Sequence, residues 1–408
     1  MTAKSAATRA QAARPQVRLF NVKYSPNLGD GLLSECLEHA LIAHGADPAS
    51  SSLDLAARTQ YSAGSVNRSA KMQVLEALPA MIRPLAVRLP LALAARRSWL
   101  PHYRSGLGAA DCVVIGGGNL LADLDLNFPT KLSLAIKEAA RRNVPAFIYG
   151  CGVSSGWSAK GRSLMDDALA TGAMRKVFVR DERSRGLWDE YFGKSHGLPA
   201  GIVRDPGLLA AETYGIAGTS PDGPVGINIT SQLAVRYHSK DAPSPQQLDA
   251  FYVDCARGLL QAGRTIAVFT NGSPEDRAAL AALKPRLSQL PGSGNISYRD
   301  ATTPGQLVGI IAGLAGIVAF RMHAIIAAFS CGVPFVALSW DPKLDSFVES
   351  VGLGDWLCKV TQSGGESAAG QLQAAMARGI DEHSRQQVTA QARQNVATLF
   401  AEIEMALV

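Results

Sequence analysis

The stretch 316–347, GIVAFRMHAIIAAFSCGVPFVALSWDPKLDSF, constrains the fold more than any other part of the chain. Gly316–Phe320 is a short apolar run with the length and β-branched content of a buried strand. Arg321, Met322 and His323 follow at once, then a small-residue helical segment over Ala324–Cys331, closed by Gly332 and Pro334. Pro334–Trp340 reads as the next buried strand, and Asp341-Pro342-Lys343 turns away from it. Charge thus falls only where the two strands end. In a parallel sheet those ends share one edge, where open α/β folds place ligands.

That placement gives the polar residues a chemistry. Arg321 and His323 stand between a strand end and a helix N-terminus, which offers free N–H groups and partial positive charge. An Arg fork suits carboxylate or phosphate, and Lys343 adds a mobile cation. The ligand expected here is an anion, and His323 is the residue able to move a proton near neutral pH. A histidine at a helix start also serves as a cap or packing residue, and an arginine there also pairs with a distant carboxylate.

The rest of the chain repeats the rhythm. Val17–Val22 is a strand, and the loop 24–30 leads to a helix with Leu33, Cys36, Leu37, Ala40 and Leu41 on one face. Asp30 is placed to cap that helix. Asn27-Leu28-Gly29-Asp30 has the shape of a ligand-binding first βα turn and equally of an ordinary capped turn. It is not G-x-G-x-x-G, so no dinucleotide is implied. Asp111–Ile115 is a strand ending in Gly116-Gly117-Gly118-Asn119, where a ligand or a backbone can approach closely. Val144–Tyr149 ends in Gly150-Cys151-Gly152, Lys176–Val179 in Arg180-Asp181-Glu182-Arg183-Ser184, and Gly201–Val203 in Arg204-Asp205-Pro206.

Strands alternating with helices predict an α/β protein of two Rossmann-like, doubly wound domains facing a cleft. The expected divisions are a disordered basic tail (1–14), an N-terminal α/β domain (15–214) and a Gly/Ser/Pro-rich linker (215–224). A C-terminal α/β domain carrying the Arg321/His323 site (225–365) follows, then helices packing back on the first domain (366–408).

Composition narrows the function classes. The chain has 408 residues, 47% hydrophobic and 18% charged, which describes a globular protein too long for one ordinary core. The net charge of +6 suits acidic partners: phosphorylated substrates, anionic glycans or a lipid surface. No nucleic-acid motif with aromatic interleaving is present. The six cysteines form no C-x-x-C pair, so neither zinc nor a redox dithiol is signalled, and a reducing, cytoplasmic setting fits. Residues 46–105 are the hardest to read. Within them 83–104 carries Arg83, Arg88, Arg96, Arg97 and Arg104 beside a Pro-broken apolar run. It reads as core or rim helices with solvated arginines, or as a basic amphipathic segment touching the inner face of a membrane.

The ordered set of strand-end elements resembles the polysaccharide pyruvyl transferase family. Asn27-Leu28-Gly29-Asp30 resembles its N-x-G-D, Gly116-Gly117-Gly118 its glycine triplet, and Gly150-Cys151-Gly152 its later G-x-G. Arg180-Asp181-Glu182-Arg183-Ser184 resembles R-D-x-x-S, Asp205-Pro206 its D-P, and Arg321-Met322-His323 its R-x-H. The resemblance implies a fold like the GT-B glycosyltransferases and transfer of pyruvate from phosphoenolpyruvate to two hydroxyls of one sugar. It implies His323 as catalyst, with Arg321, Lys343, Arg180, Asn27, Gly29, Asp30, Gly116, Gly117, Gly118, Asn119 and Gly152 as the substrate-binding set. It implies a glycan or lipid-linked oligosaccharide acceptor, no cofactor and no metal. A nucleotide-sugar glycosyltransferase of the same fold, or a non-catalytic glycan-binding protein, are the other readings. A retaining glycosyltransferase usually places paired glutamates here, whereas this stretch has no Glu before Glu349.

Overall fold

The structure, a computed structural model, describes residues 14–61, 90–123, 125–236 and 242–408. Two parallel sheets of six strands carry it. The first consists of β1 (Val17–Asn21), β2 (Ser51–Asp54), β3 (Cys112–Gly116), β4 (Ala146–Cys151), β5 (Met174–Val179) and β6 (Ala200–Ile202), in the order β2-β1-β3-β4-β5-β6. The second consists of β7 (Val225–Asn228), β8 (Ile266–Phe269), β9 (Ile296–Tyr298), β10 (Gly316–Ala319), β11 (Phe335–Leu338) and β12 (Leu357–Cys358), in the order β12-β11-β10-β7-β8-β9. Every position of β3, β4, β10 and β11 is buried. Strands covered by helices on both faces read as unbroken apolar runs for that reason.

The strand order reverses between β1 and β3 in one sheet and between β7 and β10 in the other. Such switch points open a crevice at the carboxyl ends of the strands. Four helices matter to it: α1 (Leu28–Ala43), α2 (Met322–Ser330), α3 (Pro342–Ser350) and α4 (Glu382–Leu407). The cap of α1 is Asn27, whose side chain accepts from the Gly29 N–H, so Asp30 lies in the first turn and not at the expected cap. The first helix therefore begins about one turn earlier than its apolar face announces.

One buried apolar cluster runs through both halves. It joins Leu19 and Val114 of the first sheet, Leu32 and Leu33 of α1, Ile325 and Ile326 of α2, and Val396 and Leu399 of α4. Polar bonds cross the same seam. Leu28 N donates to Asn271 O at 2.8 Å, and Ser330 Oγ donates to Leu208 O at 2.8 Å. On α4, Asn395 Oδ1 accepts from Arg204 N at 2.9 Å. Residues 215–224 carry no helix or strand.

All six cysteines are free and buried. No helix among the described residues is long and apolar enough to cross a membrane. The expected tail lies outside the described residues except for Arg14, as do Arg83 and Arg88. Arg96 and Arg97 are exposed, whereas Arg104 bonds Glu138 at 3.2 Å.

Candidate active site

The wall built by the second sheet starts at β10. Its last residue is Ala319, and two residues on Arg321 occupies the cap position of α2 with extended backbone (φ −73°, ψ 113°). The guanidinium turns inward: Nε and Nη2 donate to Asp276 Oδ2 at 3.0 and 2.5 Å. Asp276 is fully buried, and its other oxygen accepts from Ser231 N at 2.8 Å. Two of the three nitrogens of Arg321 are thus committed to holding β10 against the helix Pro274–Ser288.

His323 follows in the first turn of α2, with 12% of its side chain exposed. The N-terminus of α1 packs straight onto it. A Cβ at Gly29 would lie 2.6 Å from Nδ1, a distance no real Cβ tolerates, so glycine is required there. Asp30 Oδ1 lies 3.9 Å from the same nitrogen. Burial, then the nearby Arg180 and Arg321 cations, push the imidazole down to about 3, so it is neutral at physiological pH.

The opposite wall comes from strand exits of the first sheet. Gly117 and Gly118 have positive φ (83° and 71°), turning the chain sharply after β3. Gly116 admits Leu37 of α1, and a Cβ at Gly118 would lie 3.9 Å from Asp30 Oδ1. Gly152, after β4, gives its space to Arg180, whose Nη2 would lie 2.6 Å from a Cβ. The Arg180 side chain is only 6% exposed, with Asp181 Oδ2 at 3.4 Å from Nε. That Nε makes no hydrogen bond among the described residues. The buried Asp205 carboxyl is pushed up to about 6 by burial, against the opposing pull of Arg180 and the Gly207 N–H.

Lys343 closes the cleft. It belongs to the first turn of α3, and its Nζ donates to Asn119 Oδ1 at 2.7 Å, joining the two walls. Asn119 Nδ2 in turn donates to Ser154 Oγ at 3.1 Å. Burial and Arg180 bring the Lys343 ammonium down to about 8.

The structure brings His323 together with Gly29 and Asp30 beside the Asn27 cap, Arg180 together with Gly152, and Lys343 together with Asn119. Arg180 keeps a buried Nε without a hydrogen bond among the described residues, and the Lys343 ammonium bonds a neutral amide oxygen, while two nitrogens of Arg321 are bound up with Asp276. Sequence reasoning marked Asp205 as a strand-end residue without a binding role, and it did not find Asp276 or Ser154 as parts of the site. Nor did it find Asn228 and Asn271, fully buried, which pair at 2.9 Å beside the start of α1. Their one signal is position: Asn228 ends β7, and Asn271 follows the end of β8 by two residues. No group of three or more His, Cys, Asp or Glu arranged to hold a metal occurs among the described residues.

Two Rossmann-like units closing on a cationic cleft define the GT-B class of transferase and epimerase folds. Sucrose-phosphate synthase from Thermosynechococcus elongatus is similar in fold (TM-score 0.54, 10% identity, covering 96% of this chain and 98% of that one). So is UDP-GlcNAc 2-epimerase from Methanocaldococcus jannaschii (TM-score 0.53, 10% identity, covering 95% and 99%). The family model for polysaccharide pyruvyl transferase matches residues 27–342, most of the chain. The chain belongs to the polysaccharide pyruvyl transferase family. No curated protein matched its sequence.

Proposed function

We propose that this transferase moves pyruvate from phosphoenolpyruvate onto two hydroxyls of one sugar of its glycan acceptor, forming a cyclic ketal. The observation that carries this reading is the Arg180–Lys343 pair beside neutral His323. A buried guanidinium with unspent donor capacity and a half-buried ammonium suit a small, highly charged anion. Phosphoenolpyruvate supplies both a carboxylate and a phosphate.

The bound anion also explains a histidine held neutral. Its negative charge offsets Arg180 and Arg321, the two cations that keep the proton off His323. When the anion is bound, His323 takes up a proton from solvent, and the imidazolium gives that proton to the methylene carbon, so that C2 becomes electrophilic. The first sugar hydroxyl adds to C2, and its proton returns to the imidazole. The C2–O bond to phosphate then breaks, the second hydroxyl adds to C2, and the ring closes. No electrons are gained or lost overall, so the reaction as written needs no redox partner. Asp30 and the Gly29 contact hold the imidazole in register. Incubation with phosphoenolpyruvate and a panel of glycans tests this reading. Phosphate release with a ketal on the glycan supports it. Turnover of a nucleotide sugar with none of phosphoenolpyruvate would replace it with glycosyl transfer.

A further inference from the structure

Lys343 occupies a setting that fits it for more than holding the anion by charge. It lies in the first turn of α3, where the helix N-terminus opposes positive charge, and Asp341 Oδ1 caps its backbone N–H at 2.9 Å. Its Nζ bonds a neutral amide oxygen, Asn119 Oδ1. Among the described residues no carboxylate lies within ion-pair distance of Nζ. The charged groups facing it are Arg180 and Arg183 on one side, opposed by Asp181 and Asp341. Ser154 Oγ in turn accepts from Asn119 Nδ2, so the amide that holds the amine is itself held.

The reaction of the preceding subsection, on which this inference rests, moves protons twice. His323 accounts for one exchange: a proton to the methylene, a proton back from the first hydroxyl. A second exchange remains, in which the leaving phosphate gains a proton and the second hydroxyl loses one. We propose that Lys343 is the second proton carrier. Its ammonium gives a proton to the bridging oxygen as the C2–O bond breaks. The resulting amine takes the proton of the second hydroxyl as that oxygen adds to C2. Both side chains return to their starting states, one proton ends on the methyl group and one on phosphate, and the hydroxyls have supplied both. An amine brought down to about 8 is matched to this exchange near neutral pH, which an ordinary surface lysine is not.

Lys343→Arg keeps a cation of similar reach but cannot release its proton. Its phosphoenolpyruvate affinity, measured by calorimetry, should stay close to wild type, while kcat falls about 10²–10⁴-fold, the usual share of general acid–base catalysis. Lys343→Ala should be rescued by added small primary amines, and the pH dependence of the rescued rate should follow the pKa of the amine supplied. Lys343→Arg with near wild-type kcat overturns the proposal, because charge alone then suffices. A loss of donor affinity equal to the loss in kcat also overturns it, because Lys343 then only binds. Wild-type protein that neither binds phosphoenolpyruvate nor releases phosphate from it overturns the underlying reading instead. Thermal melting of each variant separates these results from misfolding.

Discussion

Two arginines at strand exits have different partners, and the partners set what each is expected to do. Arg321 spends its fork on buried Asp276, while Arg180 has Asp181 at 3.4 Å and an unspent Nε. Arg180→Lys should therefore weaken phosphoenolpyruvate binding by roughly 1.5–3 kcal/mol, the range for a hydrogen bond to a charged group, with little change in melting temperature. Arg321→Ala should do the reverse first: stranding a buried carboxylate costs about 3–5 kcal/mol of stability. Calorimetric titration and denaturant unfolding of both variants check the division. His323 gives a pH signature. Its native pKa, about 3, is below the value in an unfolded chain, so the unfolded state holds the extra proton between about 3 and 6.5. Its contribution to stability is present above that window and lost as pH falls through it. Asp205 acts in the opposite sense, because its raised pKa costs stability as pH rises through about 6. His323→Asn should flatten the acid-side loss by a few kcal/mol, since each tenfold difference in proton affinity between the folded and unfolded chain is worth about 1.4 kcal/mol. Urea unfolding between pH 4 and 7 measures it, and an unchanged acid limb would contradict the burial of a neutral imidazole.

At the scale of elements, the site is made by helix starts and glycine turns that let side chains from different strands meet. Gly152→Ala should leave the strand intact, because the clash falls on the movable end of Arg180. It should raise the donor KM about tenfold or more, the equivalent of losing one charged hydrogen bond. A KM within twofold of wild type would mean that Arg180 does not need that position. The strands around the site were legible because parallel strands buried on both faces are short apolar runs, and β3, β4, β10 and β11 are that throughout. Arg180, His323 and Lys343 were legible as polar residues in the turns that follow β5, β10 and β11. Other features were not. Asn27 caps α1 although Asp30 looked better placed, because the helix gains a turn by packing against His323 and Asn271. Strand β2 and helix α3 were missed: β2 is four residues at a sheet edge, and α3 begins with a Pro that reads as a turn. Asp276 is 45 residues from Arg321, and nothing local announces a partner that only the sheet order brings close.

At the scale of the molecule, the two sheets are not independent beads. The cluster containing Leu19, Leu33, Ile326 and Leu399 draws on both sheets and on α4, and the cleft lies over it. Unfolding should therefore show one calorimetric transition, since each half has a cluster of its own but loses the shared one without the other. Two resolved transitions would contradict a shared core. This seam also explains why the site needs both halves: His323 is set by Gly29, and Lys343 by Asn119. The central claim, pyruvyl transfer from phosphoenolpyruvate across that seam, is tested most directly by running the reaction in D2O with a glycan acceptor and analysing the product by mass spectrometry. The expected result is release of phosphate together with a glycan ketal whose methyl group carries one deuterium from the protonated methylene. A wild-type protein that leaves phosphoenolpyruvate intact under those conditions, or a product with no solvent deuterium in the methyl group, would contradict it.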